Sequence, residues 1–528
     1  MDALILSLFP IVVILAMLII LKKPADVSGI VGWLCMALVA AVFFRTSVPV
    51  VLLATVSGLI KSFAVSLIVA TSLLQMAFME KTGALRRIII FIKTLACENK
   101  AVQIMLINIG FGTLMVAVGA TPVSLLPPIL LAMGYTTGVA IALPAIGYDS
   151  LCTYALLGAP IVVFVDIANG FLGAGNEITL AQAGSVFYMF LPLVSTLIGF
   201  SMLWIVGKAQ AIREGWPPCL ITGATIGVIA YFTNRIENLV ALTGILCGLG
   251  VIVVMIVYLH FTGGKIIDKS RLSAEELRYE KEYPLWKALS PWIILIVVIL
   301  ALNIPQPVFN YLYRELTLPI AGISPDGKPI ATRALWNAYT WIFVSILLAI
   351  PFLRPTSRQI KETLSAWMRR APRPVFSAAI FFAIGEVMNM SGWNMAQNKF
   401  ITDSMVKVLA DFSAQAFHNA YGVVVGFVGL FGGFITGSEA STIGMFAKYT
   451  MLTASNLQMN QTELLLVTAT LAFGGGLASV ISPAKLQNAA ASIDKLGEEN
   501  KIIRMAFVFA LLLTLLMSLF AALLLKLL

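Results

Sequence analysis

Four long apolar runs of this chain are interrupted by glycine, proline or small polar residues, and the interruptions recur in the same order in its two halves. Gly119-Ala120-Thr121-Pro122 splits one run and Gly158-Ala159-Pro160 splits the next. In the second half Gly437-Ser438-Glu439-Ala440 and Ile481-Ser482-Pro483 do the same. A helix broken at membrane depth leaves backbone N–H and C=O groups that lipid cannot satisfy. Such breaks persist only inside protein or along a wet cavity. Matched breaks in two halves are the sequence sign of a secondary transporter's substrate site.

The runs are long enough to span. Of 528 residues, 59% are hydrophobic and only 11% are charged, against roughly 25% charged in soluble proteins. Alternating ten-residue strands are absent, which excludes an outer-membrane barrel. The net charge of +10 sits in loops beside apolar runs, so it carries topology and implies no nucleic-acid partner. Five cysteines (Cys35, Cys97, Cys152, Cys219, Cys247) without C-x-x-C spacing and only two histidines argue against a disulfide framework, a metal site or another cofactor. No nucleophile elbow or phosphate loop is present, so an enzyme is not expected. The glycine runs Gly432-Gly433 and Gly474-Gly475-Gly476 read as close helix packing. The first run, Leu4 to Leu21, lacks a basic leader and is kept as a spanning helix.

Crossings are expected at 4–21, 28–44, 63–79, 184–206, 217–232, 238–261, 288–303, 334–353, 374–390 and 505–527. Residues 47–62 read as interfacial or half inserted, which leaves the orientation of the N-terminus open. The basic segments 80–100 and 354–373 belong in the cytoplasm, and the segments 166–183 and 453–461, which have no Lys or Arg, belong outside. The first hairpin then enters from inside and turns at Gly119–Pro122, while the second enters from outside and turns at Gly437-Ser438. The expected fold is an all-α polytopic membrane protein, an inverted repeat in which each half has a re-entrant hairpin and a broken transmembrane helix. The parts are an N-terminal helix (1–27), a first repeat (28–207), a connector with a cytoplasmic loop (208–287) and a second repeat (288–528). Amphipathic segments, 81–100 and 390–413, precede the hairpins.

Half-helices starting near Thr121 and Ser438 aim free N–H groups and positive dipole ends at the bilayer middle, which suits an anion. The candidate substrate-binding residues are Gly119, Ala120, Thr121, Ala159, Gly437, Ser438, Ser441, Ser482 and Lys485. The candidate ion-coupling residues are Asp149 and Glu439. A charge at bilayer centre costs about 2.5–3.5 kcal/mol on insertion scales, so each needs a partner or a task. Asp149 is the preferred proton carrier, with a structural hydrogen-bond acceptor as the other reading. Glu439 serves either as a cap for its half-helix or in coupling. Lys485 is either the substrate's counter-ion or a lysine snorkelling to the interface. Glu386, within Gly385-Glu386, is a further intramembrane acid.

Two stretches resemble the L-lactate permease family: Gly433-Phe434-Ile435-Thr436-Gly437-Ser438-Glu439-Ala440-Ser441, and Gly475-Gly476-Leu477-Ala478-Ser479-Val480-Ile481-Ser482-Pro483. Phe111-Gly112, Pro122-Val123 and Gly158-Ala159-Pro160-Ile161 match more loosely. The resemblance runs from about residue 10 to 525. It implies a multi-pass carrier of the bacterial inner membrane that imports lactate or glycolate with a proton, and an elevator-like movement. Three features depart from the family pattern. Leu114–Ala120 lacks the family's acid, Lys485 follows the Ile-Ser-Pro break instead of preceding it, and Asp149 stands where lactate carriers tend to have asparagine. The partners expected are thus a small organic anion, a proton or sodium, and the lipid bilayer, with room for a homodimer. Sodium-coupled transport of a dicarboxylate or sulfonate, an anion channel or exporter, and a membrane subunit of a respiratory complex are the alternatives.

Overall fold

The computed structural model describes residues 2–95, 99–147, 149–495, 497 and 499–528 (main chain only at 479, 483, 484 and 499–501). Cys97 lies outside the described residues. Among the described residues ten helices are long and apolar enough to cross a membrane, eleven if the bent pair Ser290–Asn303 and Gln306–Glu315 forms one span. The chain is an all-α, multi-pass membrane protein. Among the described residues the strands, Leu318–Ile320 with Ile330–Thr332 and Trp393–Asn394 with Lys399–Phe400, form two small antiparallel ribbons.

Most expected crossings appear within a few residues. Those at 184–206 and 217–232 form one run, Leu191–Thr233, bent where Gly207 and Lys208 leave helical geometry. Residues 47–62 fold as the helix Val48–Lys61, about 21 Å long and too short for a hydrocarbon core of about 30 Å. One face packs closely on helix Pro372–Met390, where a Cβ on Gly58 would stand 2.5 Å from the Ala383 Cα, and the opposite face leaves Val48, Leu52 and Val56 exposed.

All four breaks are present. The first hairpin consists of Lys100–Ala117 and Pro122–Ala132, joined through Gly119 at φ 88°. The second consists of Tyr421–Thr436 and Glu439–Asn456, joined through Gly437 at φ 69°. Each turns on a left-handed residue that glycine adopts without steric cost. Each hairpin is followed by a broken helix. One is Thr137–Gly147, a 3₁₀ turn Asp149–Tyr154, then Ala155–Leu172. The other is Gln461–Leu477, a 3₁₀ turn Ala478–Ile481, then Pro483–Ala491. The first break lies earlier than its Gly-Ala-Pro signal suggests. Leu156, Leu157 and Gly158 carry the positive φ values (52°, 58°, 79°), and Pro160 already sits in the first turn of the next helix. Proline is tolerated there because its missing N–H would have no helical partner.

Polar ties sort the loops into two ends. At the basic end Arg370 pairs with Glu80, Arg373 pairs with Asp26 (3.2 Å), Gln359 Nε2 donates to the Lys81 carbonyl (3.0 Å) and Arg271 donates to the Met133 carbonyl (3.1 Å). At the other end Arg333 pairs with Asp166 (2.9 Å), the Gly392 N–H donates to Thr46 Oγ1 (2.9 Å), Trp393 Nε1 donates to the Pro325 carbonyl (3.0 Å) and Gln461 Nε2 donates to the Asn176 carbonyl (3.3 Å). The first hairpin opens toward the basic end and the second toward the opposite end. The loop 304–333, whose side the sequence leaves open, belongs to the end without basic clusters.

The charged stretch 265–287 contains the helix Ala274–Glu282, clamped on the amphipathic helix Ala84–Lys93. Arg86 meets Glu275 (2.5 Å), Arg87 meets Glu280 (3.4 Å) and Lys93 meets Glu276 (2.5 Å). Burial pushes the Glu276 carboxyl up, but hydrogen bonds from Lys93 and from the Ser273 N–H outweigh it, so the group lies below its ordinary 4.5. A depressed carboxylate gives stability that is present above 4.5 and lost as pH falls below it. The protection of residues 274–282 against hydrogen exchange, taken relative to the intrinsic rate at each pH, is therefore expected to fall below that pH in the wild type. In Glu276→Gln that protection is expected to be lower near neutrality and to change less with acid. Equal acid sensitivity in both would show that another group holds the clasp.

Candidate functional site

The second hairpin tip is built by its own hydroxyls. Ser438 caps the returning arm, its Oγ accepting from the Ser441 N–H at 3.5 Å. Thr436 Oγ1 accepts from the Ser438 N–H (3.2 Å), and Thr442 Oγ1 donates to the Ser438 carbonyl (2.8 Å). These bonds satisfy groups that lipid would leave bare. They also fix Glu439 at the first position of the half-helix, where the dipole favours negative charge. The cap is Ser438, so Glu439 is released from capping. Its side chain crosses to the other half of the chain, where Oε1 accepts from Thr153 Oγ1 at 2.6 Å.

Thr153 belongs to the 3₁₀ turn of the first break, which also presents Asp149 and Cys152. Asp149 Oδ1 accepts from the Cys152 thiol at 3.3 Å, a weak donor. Asp149 is 2% exposed and Glu439 5% exposed, yet Asp149 Oδ2, Ser150 Oγ and Glu439 Oε2 have no hydrogen-bond partner among the described residues. A buried polar atom without a partner costs about 1–3 kcal/mol. Left-handed leucines add strain of order 1–3 kcal/mol each, and Leu156 and Leu157 follow directly. A fold optimised for packing alone would not retain this combination.

The two carboxyls interact electrostatically with each other, and both lie within reach of the Lys485 ammonium. With all three ionised the cluster carries one net negative charge, and one proton neutralises it. Gly476 of the second broken helix closes the site, since a Cβ there would stand 2.6 Å from Glu439 Oε2 and 3.3 Å from the Cys152 Cβ. Ser482, 3% exposed, starts the half-helix Pro483–Ala491, and its Oγ lies 3.5 Å from where a Cβ on Gly437 would be. The second tip and both broken helices therefore meet.

The first tip approaches through its flanks. Val116 and Val123 share an apolar cluster with Cys152 and Leu486. Gly119 lies against Ser72, where a Cβ would come within 2.8 Å of the Ser72 Cβ. Ala120 is buried, whereas Thr121 is exposed. Two candidates are turned away from the carboxyl pair. Ser441, roughly 200° round the helix from Glu439, donates to the Ala378 carbonyl at 3.5 Å. Ala159 lines a narrow crevice with Ile68, Ala241 and Trp336. Cys152 and Thr153 were missed from the sequence. Their spacing from Asp149, three and four residues on, is the signal that one turn presents all three.

The L-lactate permease family model matches residues 3–528. The glycolate permease GlcA of Escherichia coli K12 is 22% identical, covering 94% of this chain and 91% of that protein. The L-lactate permease of Bacillus subtilis 168 is 21% identical, covering 97% and 93%. The L-lactate permease of Escherichia coli K12 is 21% identical, covering 79% and 76%.

Proposed function

The chain belongs to the L-lactate permease family, and on that premise we propose that it is a secondary active transporter importing lactate, glycolate or a similar 2-hydroxy monocarboxylate with a proton. The setting is the bacterial inner membrane. The two hairpins and broken helices act as inverted repeats that alternate access to one central site. The observation that carries this reading is the buried carboxyl pair, Asp149 from one half and Glu439 from the other, beside Lys485.

The coupling follows from charge. With both carboxyls ionised the centre repels an anion. A proton on the pair removes the excess negative charge and leaves Lys485 and the helix N-termini at Ser438 and Ser482 to hold a carboxylate. One anion carried with one proton moves no net charge. The coupled carboxyls release their proton as a pair and need not be assigned separate steps.

Reconstituted protein is expected to accumulate glycolate or lactate inside liposomes when the outside is acid, with no effect of a sodium gradient. Drive by sodium alone would replace the proton by sodium. Non-saturating flux without gradient dependence would make the protein a channel.

Ser438→Ala and Thr121→Ala are expected to weaken substrate affinity without abolishing accumulation. Ser438 supplies a side-chain cap, whose loss costs about 1 kcal/mol and corresponds to a several-fold rise in KM; Thr121 makes no such cap bond, so its change acts only through lost contact with the anion. An unchanged KM in both would place the anion site away from the hairpin tips.

A further inference from the structure

A cavity of about 300 Å³ lies away from the carboxyl pair, among the helices Val48–Lys61, Pro372–Met390 and Glu439–Asn456, the outer part of Ala155–Leu172 and the ribbon at 318–332. Its wall includes Lys448, nine residues beyond Glu439 and thus about 13 Å along the arm from the tip. The ribbon and Asp166 place the cavity toward the end without basic clusters.

Its charges do not balance. Lys61 Nζ donates to Glu386 Oε1 at 2.6 Å, Arg333 pairs with Asp166, and Asp326 and Lys328 offset each other. The Lys448 ammonium remains. It senses Glu386, Lys61, Asp326 and Lys328 electrostatically but has no ion pair and no hydrogen bond among the described residues. A partly buried cation without a partner is costly in a membrane and marks an anion path or site. A second observation points to a ligand that also carries a hydrogen-bond donor. Asn389, 7% exposed, lines the cavity, and its Oδ1 has no hydrogen-bond partner among the described residues.

We propose that this cavity is a carboxylate-binding vestibule through which the substrate passes before reaching the carboxyl pair, with Lys448 as the counter-ion and Asn389 Oδ1 accepting the proton of a hydroxyl beside the carboxylate. The hydroxyl rests on the functional reading above, whereas the carboxylate site rests on the unbalanced charge alone. The volume equals that of roughly ten waters, enough for a two- or three-carbon acid that keeps part of its hydration. Lys448 and Asn389 belong to different helices, so their separation sets which acids fit. Neither residue touches the proton-bearing pair, so the vestibule affects capture and leaves coupling intact.

The test uses the full-length protein in proteoliposomes and in detergent. Lys448→Gln is expected to raise the KM for glycolate uptake about tenfold or more, as loss of a charged hydrogen bond implies. The maximal rate and the accumulation ratio are expected to stay within about twofold. Lys448→Arg should recover most of the affinity. Asn389→Ala should narrow the preference for glycolate over acetate in direct binding. In the wild type, glycolate should protect Lys448 from an amine-reactive reagent, read by peptide mass spectrometry, a result that needs no variant to fold. Unchanged KM in Lys448→Gln, or no protection of Lys448 at saturating glycolate, overturns the vestibule. If the wild type carries neither lactate nor glycolate, yet acetate binds and protects Lys448, the functional reading falls and the carboxylate site stands.

Discussion

Asp149→Asn is expected to abolish concentrative uptake while sparing exchange of substrate across the membrane. Asparagine keeps the size of the side chain and an oxygen that can accept from the Cys152 thiol, now 3.3 Å from Oδ1, but it cannot bind and release a proton. The centre then stays in its neutral, anion-accepting state. Loaded carriers still reorient, so labelled substrate inside exchanges with unlabelled substrate outside. One pH unit provides about 1.4 kcal/mol, which corresponds to about tenfold accumulation at one-to-one coupling. For Asp149→Asn that ratio should fall to unity, with exchange within about threefold of wild type. Glu439→Gln is the companion. Its carboxylate receives the Thr153 hydroxyl at 2.6 Å, a stronger bond than that to Asp149, so this variant should also lose affinity. Normal accumulation by Asp149→Asn would remove it from coupling, and the same result in both variants would remove the carboxyl pair from the mechanism.

Gly433→Ala is expected to cost most of the transport activity through packing alone. The outgoing arm of the second hairpin crosses the second broken helix at backbone distance. A Cβ on Gly433 would stand 2.2 Å from the Gly475 carbonyl oxygen and 2.7 Å from the Ala478 Cβ. The same crossing leaves 2.0 Å between a Cβ on Gly429 and the Leu471 carbonyl oxygen, and 2.1 Å between one on Gly474 and the Gly426 carbonyl oxygen. Backbone cannot swing aside as a side-chain tip can, so the helices must part. Overpacking of this kind costs about 1–3 kcal/mol and at times more. Parting them also draws the Ser438–Glu439 tip away from Gly476, which faces Glu439 Oε2 directly. The variant should show a lower apparent unfolding temperature and reduced exchange as well as reduced accumulation, unlike Asp149→Asn. Gly138→Ala, where a Cβ would meet no described atom within 4 Å beyond its own helix backbone and chain neighbours, is the control and should be silent. Wild-type activity and stability in Gly433→Ala would mean that the crossing is looser than this packing requires.

Much of the fold was legible because the bilayer imposes its own rules. Apolar length fixed the crossings, and glycine or proline inside such a run marked each break. The first break was placed late. The sequence displays Gly158 and Pro160; the chain distorts at Gly158 but already at Leu156 and Leu157 before it, residues that by themselves favour ordinary geometry and are held left-handed only by their surroundings. Residues 47–62 looked interfacial because their length and Lys61 suit a boundary. The structure packs one face of this short helix on the helix carrying Glu386, whose carboxylate takes the Lys61 ammonium at 2.6 Å, and leaves Val48, Leu52 and Val56 exposed on the other.

The sequence by itself determined that this is a multi-pass helical membrane protein of a permease family, and that non-helical main chain lies at four points within it. Length, hydropathy and glycine placement are local quantities, so they survive in one dimension. Only the tertiary structure decided which side chains share each point. It joined Glu439 to Thr153, which is 286 residues away, turned Ser441 out of the site, and left Lys448 without an ion pair among the described residues. Those outcomes depend on helix rotation and on which charges neighbouring elements present, and no stretch of chain encodes either alone.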